Sequence, residues 1–381
     1  MSISNFIIDK ENNIKENYNN KIFSKIENIK DFLFFIPDNI NYCISNPILD
    51  KGILKITDNK NYICINTNLK ESGIIDKNLL FKTSNLKLSI INNDIENLKF
   101  PKKFPIKGIN HKNINSKIFK KDLIKHEEFI SNSTTNNSLC GILFDSLNKK
   151  IVSSNNYICM IENNLNINET FLISKNTMKI LSTYLKLNEI IDKVELYKDE
   201  KTNINYLTFY GKGFLYTTKL LRNDYPDYIN IIPENTYKIK GSLYIKEIII
   251  KMIDKLYPII KTEKNLIMLQ NNIVKCFNRE IKKYINLKLP ISLTPEIIDE
   301  NKYYCYDASL LKKIILNIDN NFNIYYSENE LEGIIFKDNN KTFFIKPLQI
   351  LKNIIDITKF NFESIQLDED IYKTQINNFI L

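Results

Sequence analysis

Apolar residues recur along this chain with two different periods, which separate predicted helices from predicted strands. In the middle third, apolar positions three and four residues apart predict a helix over residues 116–130. A second helix is predicted to begin at Ser174 in SKNTMKILSTYL, because serine is a favoured helix cap. Strict alternation and short apolar runs predict the strands of the same third, which cover residues 139–145, 150–162, 193–197 and 204–220.

The last third repeats this order of elements. A helix is predicted over residues 243–256, and a short helix is predicted to begin at Asp307 in DASLLKKIILNI. Both short helices follow a capping side chain and carry a lysine five residues later, at Lys179 and Lys312. The strands predicted here cover residues 265–269, 273–277, 323–326 and 333–345.

The first third is less regular but has the length of a third copy. It contains a predicted helix near residues 21–35, strands near residues 52–65 and a strand-rich stretch to about residue 98. The 381 residues divide into three units of about 127, a common domain size. We therefore predict an α+β protein of three repeated domains, each with two helices packed on antiparallel sheets. The alternative is a generic multidomain α+β protein in which the repeated order is accidental.

One segment, GKGFLYTTKLLRNDYPDYINIIP at residues 211–233, combines a strand with a stiff continuation. Side chains alternate from Phe214 to Lys219, as a half-buried strand requires. Pro226 then ends the ladder, because proline has no N–H and a fixed φ. Three isoleucines follow before the next proline. This pattern predicts an ordered crossing between two domains.

Composition narrows the functional classes. The chain has only 8 glycines and contains neither GxGxxG nor GxxxxGK[ST], which argues against P-loop NTPases and Rossmann enzymes. Its abundant Lys, Asn and Ile fit an AT-rich coding genome. The net charge of +9 favours an anionic partner such as nucleic acid. No run approaches the ~18 apolar residues of a membrane span, and no signal-type apolar region opens the sequence.

Side chains capable of chemistry are scattered along the sequence. The six cysteines form no CxxC pair and lie mostly in apolar runs, which predicts buried, reduced thiols and a cytoplasmic location. His111 and His126 lack metal-ligand spacing to each other or to a cysteine pair. We therefore predict a protein without catalytic residues, metal or cofactor. A nuclease or phosphoryl-transfer enzyme is the weaker alternative.

Four stretches, in order and spacing, resemble the bacterial β sliding clamp, the processivity subunit of DNA polymerase III. LCGILFD at residues 139–145 is similar to the family strand LNGxLFE, and VSSNNYICM at residues 152–160 stands where the family has VATDGHRLA. Residues 222–233 are similar to GxFPDYxxVxP, with Tyr225 in place of Phe. FIKPL at residues 344–348 is similar to the terminal VMPMRL. The resemblance covers residues 116–350 well and residues 1–115 weakly.

The chain departs from this family in three respects. Residues 155–158, Asn-Asn-Tyr-Ile, replace Asp-Gly-His-Arg, so a basic residue and a turn glycine are lost. The chain is basic, and it continues 31 residues past Ile350 (381 − 350), where bacterial clamps generally end. These departures indicate a divergent clamp, from a virus, an AT-rich bacterium or an organelle. The resemblance implies clamp domains at residues 1–115, 116–235 and 236–350 and a C-terminal extension at residues 351–381.

The resemblance implies a ring around double-stranded DNA that is closed by a head-to-tail homodimer and binds DNA without sequence preference. Such a ring needs lysine-bearing helices toward the phosphates and strands outside. The positions expected to face DNA are Lys117, Lys120, Lys121, Lys125, Lys175, Lys179, Lys246, Lys251, Lys255, Lys312 and Lys313. The alternative for each of them is an ordinary solvated helix face.

The resemblance also implies a pocket, between the second and third domains, for short peptides of the replicative DNA polymerase and clamp-loader subunits. The matching positions are Leu139, Ser154, Asn156, Tyr157, Ile158, Cys159, Pro226, Asn230, Ile231, Phe344, Pro347, Leu348 and Ile350. Of these, Pro226 and Ile231 are the preferred candidates, and Asn230 is where specificity is expected to depart from the family. For any one residue the alternative is ordinary interface packing.

The expected function is therefore a processivity factor at the replication site, not an enzyme. The competing class is a non-enzymatic viral or structural α+β protein, or a DNA-binding protein without ring topology. For the extension we consider two hypotheses. Gln366-Leu367-Asp368 begins a clamp-binding pattern, although Glu369 and Asp370 stand where apolar residues are expected. The first hypothesis is that the extension occupies or gates the peptide pocket, and the second is that it adds a strand or helix to the third domain.

Overall fold

The structure, a computed structural model, places the chain in two compact units. Unit 1 comprises residues 1–153 and 164–225, and unit 2 comprises residues 154–163 and 226–381. The residues that it describes are 47–57, 60–67, 72–75, 90–92, 111–132, 138–163, 166–187, 190–199, 203–222, 225–230, 237–260, 265–278, 283–296, 303–327, 332–348 and 362–366. The helix predicted near residues 21–35 lies outside these ranges.

Unit 1 contains twelve of the strands in the described ranges, one α-helix and three 3₁₀ helices. The strands are β1 Ile48–Asp50, β2 Ile53–Thr57, β3 Asn61–Asn66, β4 Gly73–Ile75, β5 Ile90–Asn92, β6 His111–Ile114, β7 Gly141–Asp145, β8 Lys150–Ser154, β10 Phe171–Ser174, β11 Lys193–Asp199, β12 Ile204–Gly211 and β13 Phe214–Lys219. The helices are α1 Lys175–Leu187 and the 3₁₀ helices Ser116–Ile118, Lys121–Phe129 and Ser138–Cys140.

A nine-stranded antiparallel sheet forms the larger layer of unit 1, in the order β5-β4-β1-β2-β3-β13-β12-β11-β6. A smaller sheet orders its strands β10-β7-β8. The buried ring of Phe119, between two 3₁₀ helices, contacts Phe144 of β7 at 5.3 Å and Phe209 of β12 at 5.0 Å, centroid to centroid. Because these rings come from both sheets, the core of unit 1 is continuous across them.

Unit 2 contains the remaining strands and two α-helices of the described ranges. The strands are β9 Ile158–Asn163, β14 Tyr237–Gly241, β15 Leu266–Gln270, β16 Ile273–Asn278, β17 Lys283–Lys288, β18 Tyr304–Asp307, β19 Phe322–Tyr326, β20 Ile334–Lys337, β21 Lys341–Ile345 and β22 Phe362–Gln366. The helices are α2 Leu243–Ile260 and α3 Ala308–Asn317. None of the helices in the described parts of the chain is both long and apolar enough to span a membrane.

Two five-stranded sheets make up unit 2, ordered β9-β21-β20-β19-β14 and β18-β15-β16-β17-β22. Helix α2 buries a stripe that includes Ile249, Met252 and Leu256, and α3 buries Leu311 and Ile314. Spacings of three and four residues place each set on one side of its helix. Both helices therefore behave as the sequence pattern predicts.

The middle and last thirds of the chain share one order of elements and one set of pairings. Strand β6 pairs with β11, the first strand after α1, as β14 pairs with β19, the first strand after α3. Strand β10 pairs with β7 as β18 pairs with β15. The predicted α+β class and the predicted repetition of elements between the middle and last thirds are therefore confirmed, and the division into three domains stays a prediction.

Consecutive repeats are joined by the same kind of strand pair. The four strands β1–β4, β7–β10 and β15–β18 correspond to one another, so β3, β9 and β17 are equivalent third strands. Strand β3 pairs antiparallel with β13, the last strand of the middle third, and β9 pairs antiparallel with β21, the last strand of the final third. The joint consists of a third strand bound to the last strand of the following repeat.

Several predicted strands are in fact hairpins. The predicted strand 204–220 is the hairpin β12–β13, and strand 333–345 is the hairpin β20–β21. The predicted strand 150–162 is divided into β8 and β9. At Asp338 the turn is closed by a carboxylate that accepts hydrogen bonds from the N–H groups of Asn340 and Lys341. Asx side chains can close such turns without glycine, which the apolar pattern does not reveal. Strands β6, β10, β14, β17 and β18 were missed by the pattern.

The helix predicted over residues 116–130 is wrong in type. Two 3₁₀ helices stand there, and extended Lys120 separates them while forming a bridge with Ile190. The two predicted caps are confirmed. Ser174 Oγ accepts a hydrogen bond of 3.1 Å from Thr177 N at the start of α1, and Asp307 Oδ1 accepts one of 2.8 Å from Ser309 N at α3.

Candidate functional site

The pairing of β9 with β21 aligns two of the stretches expected to form the peptide pocket. Ile158 lies opposite Ile345, and Cys159 lies opposite Phe344. Beyond the end of β21, Lys346 N donates a hydrogen bond of 2.7 Å to the carbonyl of Tyr157. The backbone of unit 2 thus holds residues 154–159 beside the terminal motif.

The turn before β9 is built by one asparagine side chain. Asn155 Oδ1 accepts hydrogen bonds of 2.9 Å from the N–H groups of both Tyr157 and Ile158. Ser154 Oγ donates to the carbonyl of Ile158 at 2.9 Å. This side-chain closure does what a turn glycine would otherwise do. Asn155, which departs from the family pattern, is therefore the residue that shapes this turn.

Exposure divides the pocket candidates of the β9–β21 pair into two groups. Asn156 and Tyr157 face solvent, and the side chain of Tyr157 is 52% exposed. Ile158, Cys159 and Phe344 are buried. Tyr157 is thus the large solvent-exposed side chain of this turn, and the buried residues lie in the sheet beside it.

The Phe344 ring is fixed by contact with a glycine. A Cβ atom added at Gly333 would lie 2.1 Å from Phe344 Cε2 and 2.5 Å from the carbonyl oxygen of Ile345. The buried Pro347 and half-buried Leu348 follow, and Leu348 N donates to the carbonyl of Cys305 at 2.8 Å. The sequence contained Gly333 but no pattern that revealed its role.

The thiol of Cys159 is suited to packing. Burial raises its pKa to about 12, and a hydrogen bond with Ser154 lowers the pKa by less. The thiol is therefore protonated near neutral pH, and thiolate is the form required of a nucleophile. Of the described cysteines, Cys64, Cys159, Cys276 and Cys305 are buried and Cys140 is half-buried, and none of these five forms a disulfide.

The Pro226 segment forms a small turn around Asp227. Asp227 Oδ1 accepts from the N–H groups of Ile229 at 3.0 Å and Asn230 at 3.4 Å, and Asn230 Nδ2 donates to Asp227 Oδ2 at 2.6 Å. Tyr228 is buried and Pro226 is half-buried. The carboxamide of Asn230 thus has a structural bond, and its expected part in specificity stays a prediction.

Three other pocket candidates lie elsewhere. Leu139 belongs to unit 1, where it is buried and its carbonyl accepts from Ser131 N at 3.0 Å. Ile231 and Ile350 lie outside the described residues. The joint role of all thirteen candidates remains a prediction.

The lysines expected to face DNA in unit 1 are exposed or half-exposed. Lys117, Lys120 and Lys121 are exposed on the 3₁₀ segment. Asp122 neutralises part of this charge, because it lies 3.9 Å from Lys120 Nζ and 3.7 Å from Lys125 Nζ. On α1, half-buried Lys179 accompanies Lys175, whose Nζ donates to Asn132 Oδ1 at 2.5 Å.

The corresponding lysines of unit 2 differ in the contacts that they make and in their exposure. Lys246 Nζ donates a hydrogen bond of 2.6 Å to the carbonyl of Ile318 at the C-cap of α3, where cations are favoured. Lys312 forms an ion pair with Asp254. Lys313 is half-buried, Lys251 is half-buried and Lys255 is exposed. Lys246 therefore caps the C-terminal end of α3.

The chain is similar in fold to solved bacterial sliding clamps. It matches the DNA polymerase III β subunit from Thermotoga maritima with a TM-score of 0.65 at 10% identity, over 86% of this chain and 99% of that one. The chain matches the Bartonella birtlesii sliding clamp bound to griselimycin with a TM-score of 0.64 at 13% identity, over 86% of this chain and 98% of that one. It matches the Helicobacter pylori β clamp bound to a DNA ligase peptide with a TM-score of 0.60 at 14% identity, over 86% of this chain and 99% of that one. No protein-family model and no curated protein matches the sequence.

Proposed function

We propose that this chain, which has the fold of the bacterial DNA polymerase III β subunit, is a DNA sliding clamp that tethers a replicative polymerase. The observation that carries this proposal is the recurring joint, in which β3 binds β13 and β9 binds β21. When the same strand pair joins each repeat to the next, the sheets continue from one repeat into the following one. Applied between two copies head to tail, it closes a ring without free edges.

The proposed DNA contact is electrostatic. The net charge of +9 and the lysines on α1, α3 and the 3₁₀ segment favour duplex phosphates. Such contacts carry no base information and permit sliding. Lys117, Lys121, Lys179 and Lys313 are the strongest candidates, because the ion pairs in the described part of the chain engage Lys120, Lys125 and Lys312 instead.

The proposed partner contact is a short peptide of a polymerase or clamp-loader subunit at the turn 154–159. The Helicobacter pylori clamp is bound to a DNA ligase peptide, which supports peptide docking on this fold. The exposed ring of Tyr157 beside polar Asn156 supplies the combination of apolar area and hydrogen-bonding groups that such a site needs. No catalytic step or cofactor is part of the proposal. The proposed location is the replication site in the cytoplasm.

Topology-dependent retention on DNA tests the function. The protein is bound to a nicked circular plasmid, isolated at about 0.2 M salt to remove phosphate-only binding, and the circle is then cut once. A ring is retained on the circle and released on cutting, whereas end-blocked linear DNA retains it. A protein held equally on circular and open linear DNA is a DNA-binding protein without ring topology. Solution mass should be about 90 kDa, twice the 44.9 kDa chain.

A further inference from the structure

The third strand of the last repeat is paired with a strand from the C-terminal extension. Strand β22 lies parallel to β17 over five residue pairs, from Tyr284 opposite Phe362 to Lys288 opposite Gln366. Strand β17 is equivalent to β3 and β9, whose outer edges bind the last strand of the following repeat. The edge that β22 covers is therefore the joint edge of the third repeat.

The pairing of β22 differs from that of both joints. Strands β13 and β21 bind their third strands antiparallel, whereas β22 binds parallel. Parallel ladders have slanted hydrogen bonds and are slightly less stable per residue. Strand β22 therefore differs in direction from the strands paired at the other two joints, and its ladder with β17 is slightly less stable per residue.

A buried polar atom in the middle of β17 supports this view. Asn286 Oδ1 is inaccessible to solvent and has no hydrogen-bond partner within the described ranges. Asn286 lies opposite Ser364, at the centre of the β17–β22 pair. Buried side-chain oxygens are normally satisfied. The β17–β22 pair thus carries an unsatisfied side-chain oxygen at its centre, on a face of the sheet.

We propose that β22 is an intramolecular cap on the joint edge of the third repeat, which a second copy of this chain displaces when the ring closes. The displacing element belongs to the first repeat of that copy, and the inference rests on the proposed clamp function for this choice of occupant. An uncovered edge would pair indiscriminately with other chains. A cap on the same chain prevents such pairing and competes with the second copy at a high effective concentration.

The extension adds a strand, β22, to the last repeat, as one of the two hypotheses expected. The cap assigns that strand a purpose at the ring interface. Exchange of β22 for an antiparallel strand keeps the backbone groups of β17 hydrogen-bonded in both states. Ring closure then replaces the β17–β22 ladder with a ladder between β17 and the second copy. The dimerisation equilibrium therefore depends on the stability of the β17–β22 pair.

Two proline substitutions test the cap in the full-length chain. Successive N–H groups of a strand point to opposite edges, so the pair Glu363→Pro and Ser364→Pro removes at least one N–H directed at β17. The control carries Thr374→Pro and Gln375→Pro, which lie in the extension beyond the five paired residues. Both proteins and the wild type are compared by sedimentation equilibrium and by amide hydrogen exchange of residues 283–288 at dilution.

The expected result is faster exchange of the β17 amides in the diluted Glu363→Pro/Ser364→Pro protein, together with dimerisation tighter by at least about tenfold, as removal of a tethered competitor requires. The control should match the wild type in both measurements. An unchanged or weaker dimer overturns the inference, even if exchange is faster, because β22 would then not compete with a second copy. Unchanged exchange also overturns it, because β22 would then not protect the edge.

The retention assay on circular DNA, performed with the same three proteins, separates this inference from the proposed function. Tighter dimerisation without release on cutting would leave the cap in place and reject the sliding clamp. Topology-dependent retention with an unaltered dimer constant would reject the cap and keep the clamp.

Discussion

The carboxamide of Asn61 on β3 accepts a hydrogen bond of 2.6 Å from the hydroxyl of Tyr216 on β13, which joins two repeats within unit 1. Thr218 Oγ1 donates to the same Asn61 oxygen at 2.8 Å. All three side chains are buried. The joint is therefore held by a polar contact between side chains as well as by its backbone ladder.

Replacement of Asn61 should weaken this joint. Asn61→Ala leaves two buried hydroxyls without this acceptor, so the free energy of unfolding should fall by about 1–3 kcal/mol. Asn113→Ala, at an exposed asparagine of β6, is the control and should be near neutral. Urea unfolding measures both. Equal stability of the two variants would show that the Asn61 contact does not stabilise the joint.

The turn before β9 should depend on an acceptor at position 155. Asn155→Ala removes the acceptor of two backbone N–H groups and should destabilise the protein by about 1–2 kcal/mol, whereas Asn155→Asp keeps an acceptor and should restore most of the loss. Chemical unfolding followed by circular dichroism provides the comparison. If aspartate is as damaging as alanine, the oxygen at this position is not what closes the turn.

Tyr157 should contribute to peptide binding without contributing to stability. Tyr157→Ser removes a half-exposed ring, so we expect at least about tenfold weaker binding of a polymerase-derived peptide, as loss of an aromatic anchor predicts. Tyr237→Ser is the matched control, since Tyr237 is 46% exposed on β14 of the same unit. Calorimetric titration measures both affinities. Similar losses in the two variants would argue against a specific role for the turn.

The lysines expected to face DNA should fall into two groups, according to the contacts that each makes within the protein. Lys179→Gln and Lys313→Gln should each reduce the slope of log K against log salt for duplex DNA by about one. Lys246→Gln should leave this slope unchanged and lower the stability by about 1 kcal/mol, because Lys246 Nζ binds the carbonyl of Ile318. Fluorescence anisotropy at several salt concentrations gives the slopes. A change of slope for Lys246→Gln alone would reverse the assignment.

Unit 2 should lose stability at alkaline pH. Burial raises the pKa of Cys276 from 9.0 to about 12, and that of Cys159 similarly. In the unfolded chain these thiols ionise first, so their contribution is complete below about pH 9 and is lost as the pH rises toward 12. Each thiol that ionises in the unfolded chain but not in the folded one makes the stability fall further as the pH rises within this window.

The variant Cys276→Ala isolates one of these contributions. It should be less stable at neutral pH because of the cavity, yet its stability should decline less steeply above about pH 9, since one titrating group is gone. Urea titrations at several pH values give both slopes. Parallel declines in the variant and the wild type would mean that ionisation of Cys276 is not linked to folding.

The sequence predicted what depends on local periodicity and capping. The apolar stripes of α2 and α3 and the caps at Ser174 and Asp307 are observed as expected. Hairpins were joined into long strands because Asn155 and Asp338 close turns by hydrogen bonds to backbone N–H groups, and such bonds leave no mark on the apolar pattern. The parallel pairing of β22 depends on an edge far away in sequence, and no local signal announces it.

The joint between β3 and β13 also sets an order for folding. Asn61 and Tyr216 are 155 residues apart in the chain, and contacts between such distant residues form slowly because a long loop must close first. The hairpins within each repeat involve neighbouring strands and should form early. During synthesis, β3 emerges long before β13, so the first repeat must wait with an open edge until the second is complete. We therefore expect nascent chains that end before β13 to need protection by a chaperone.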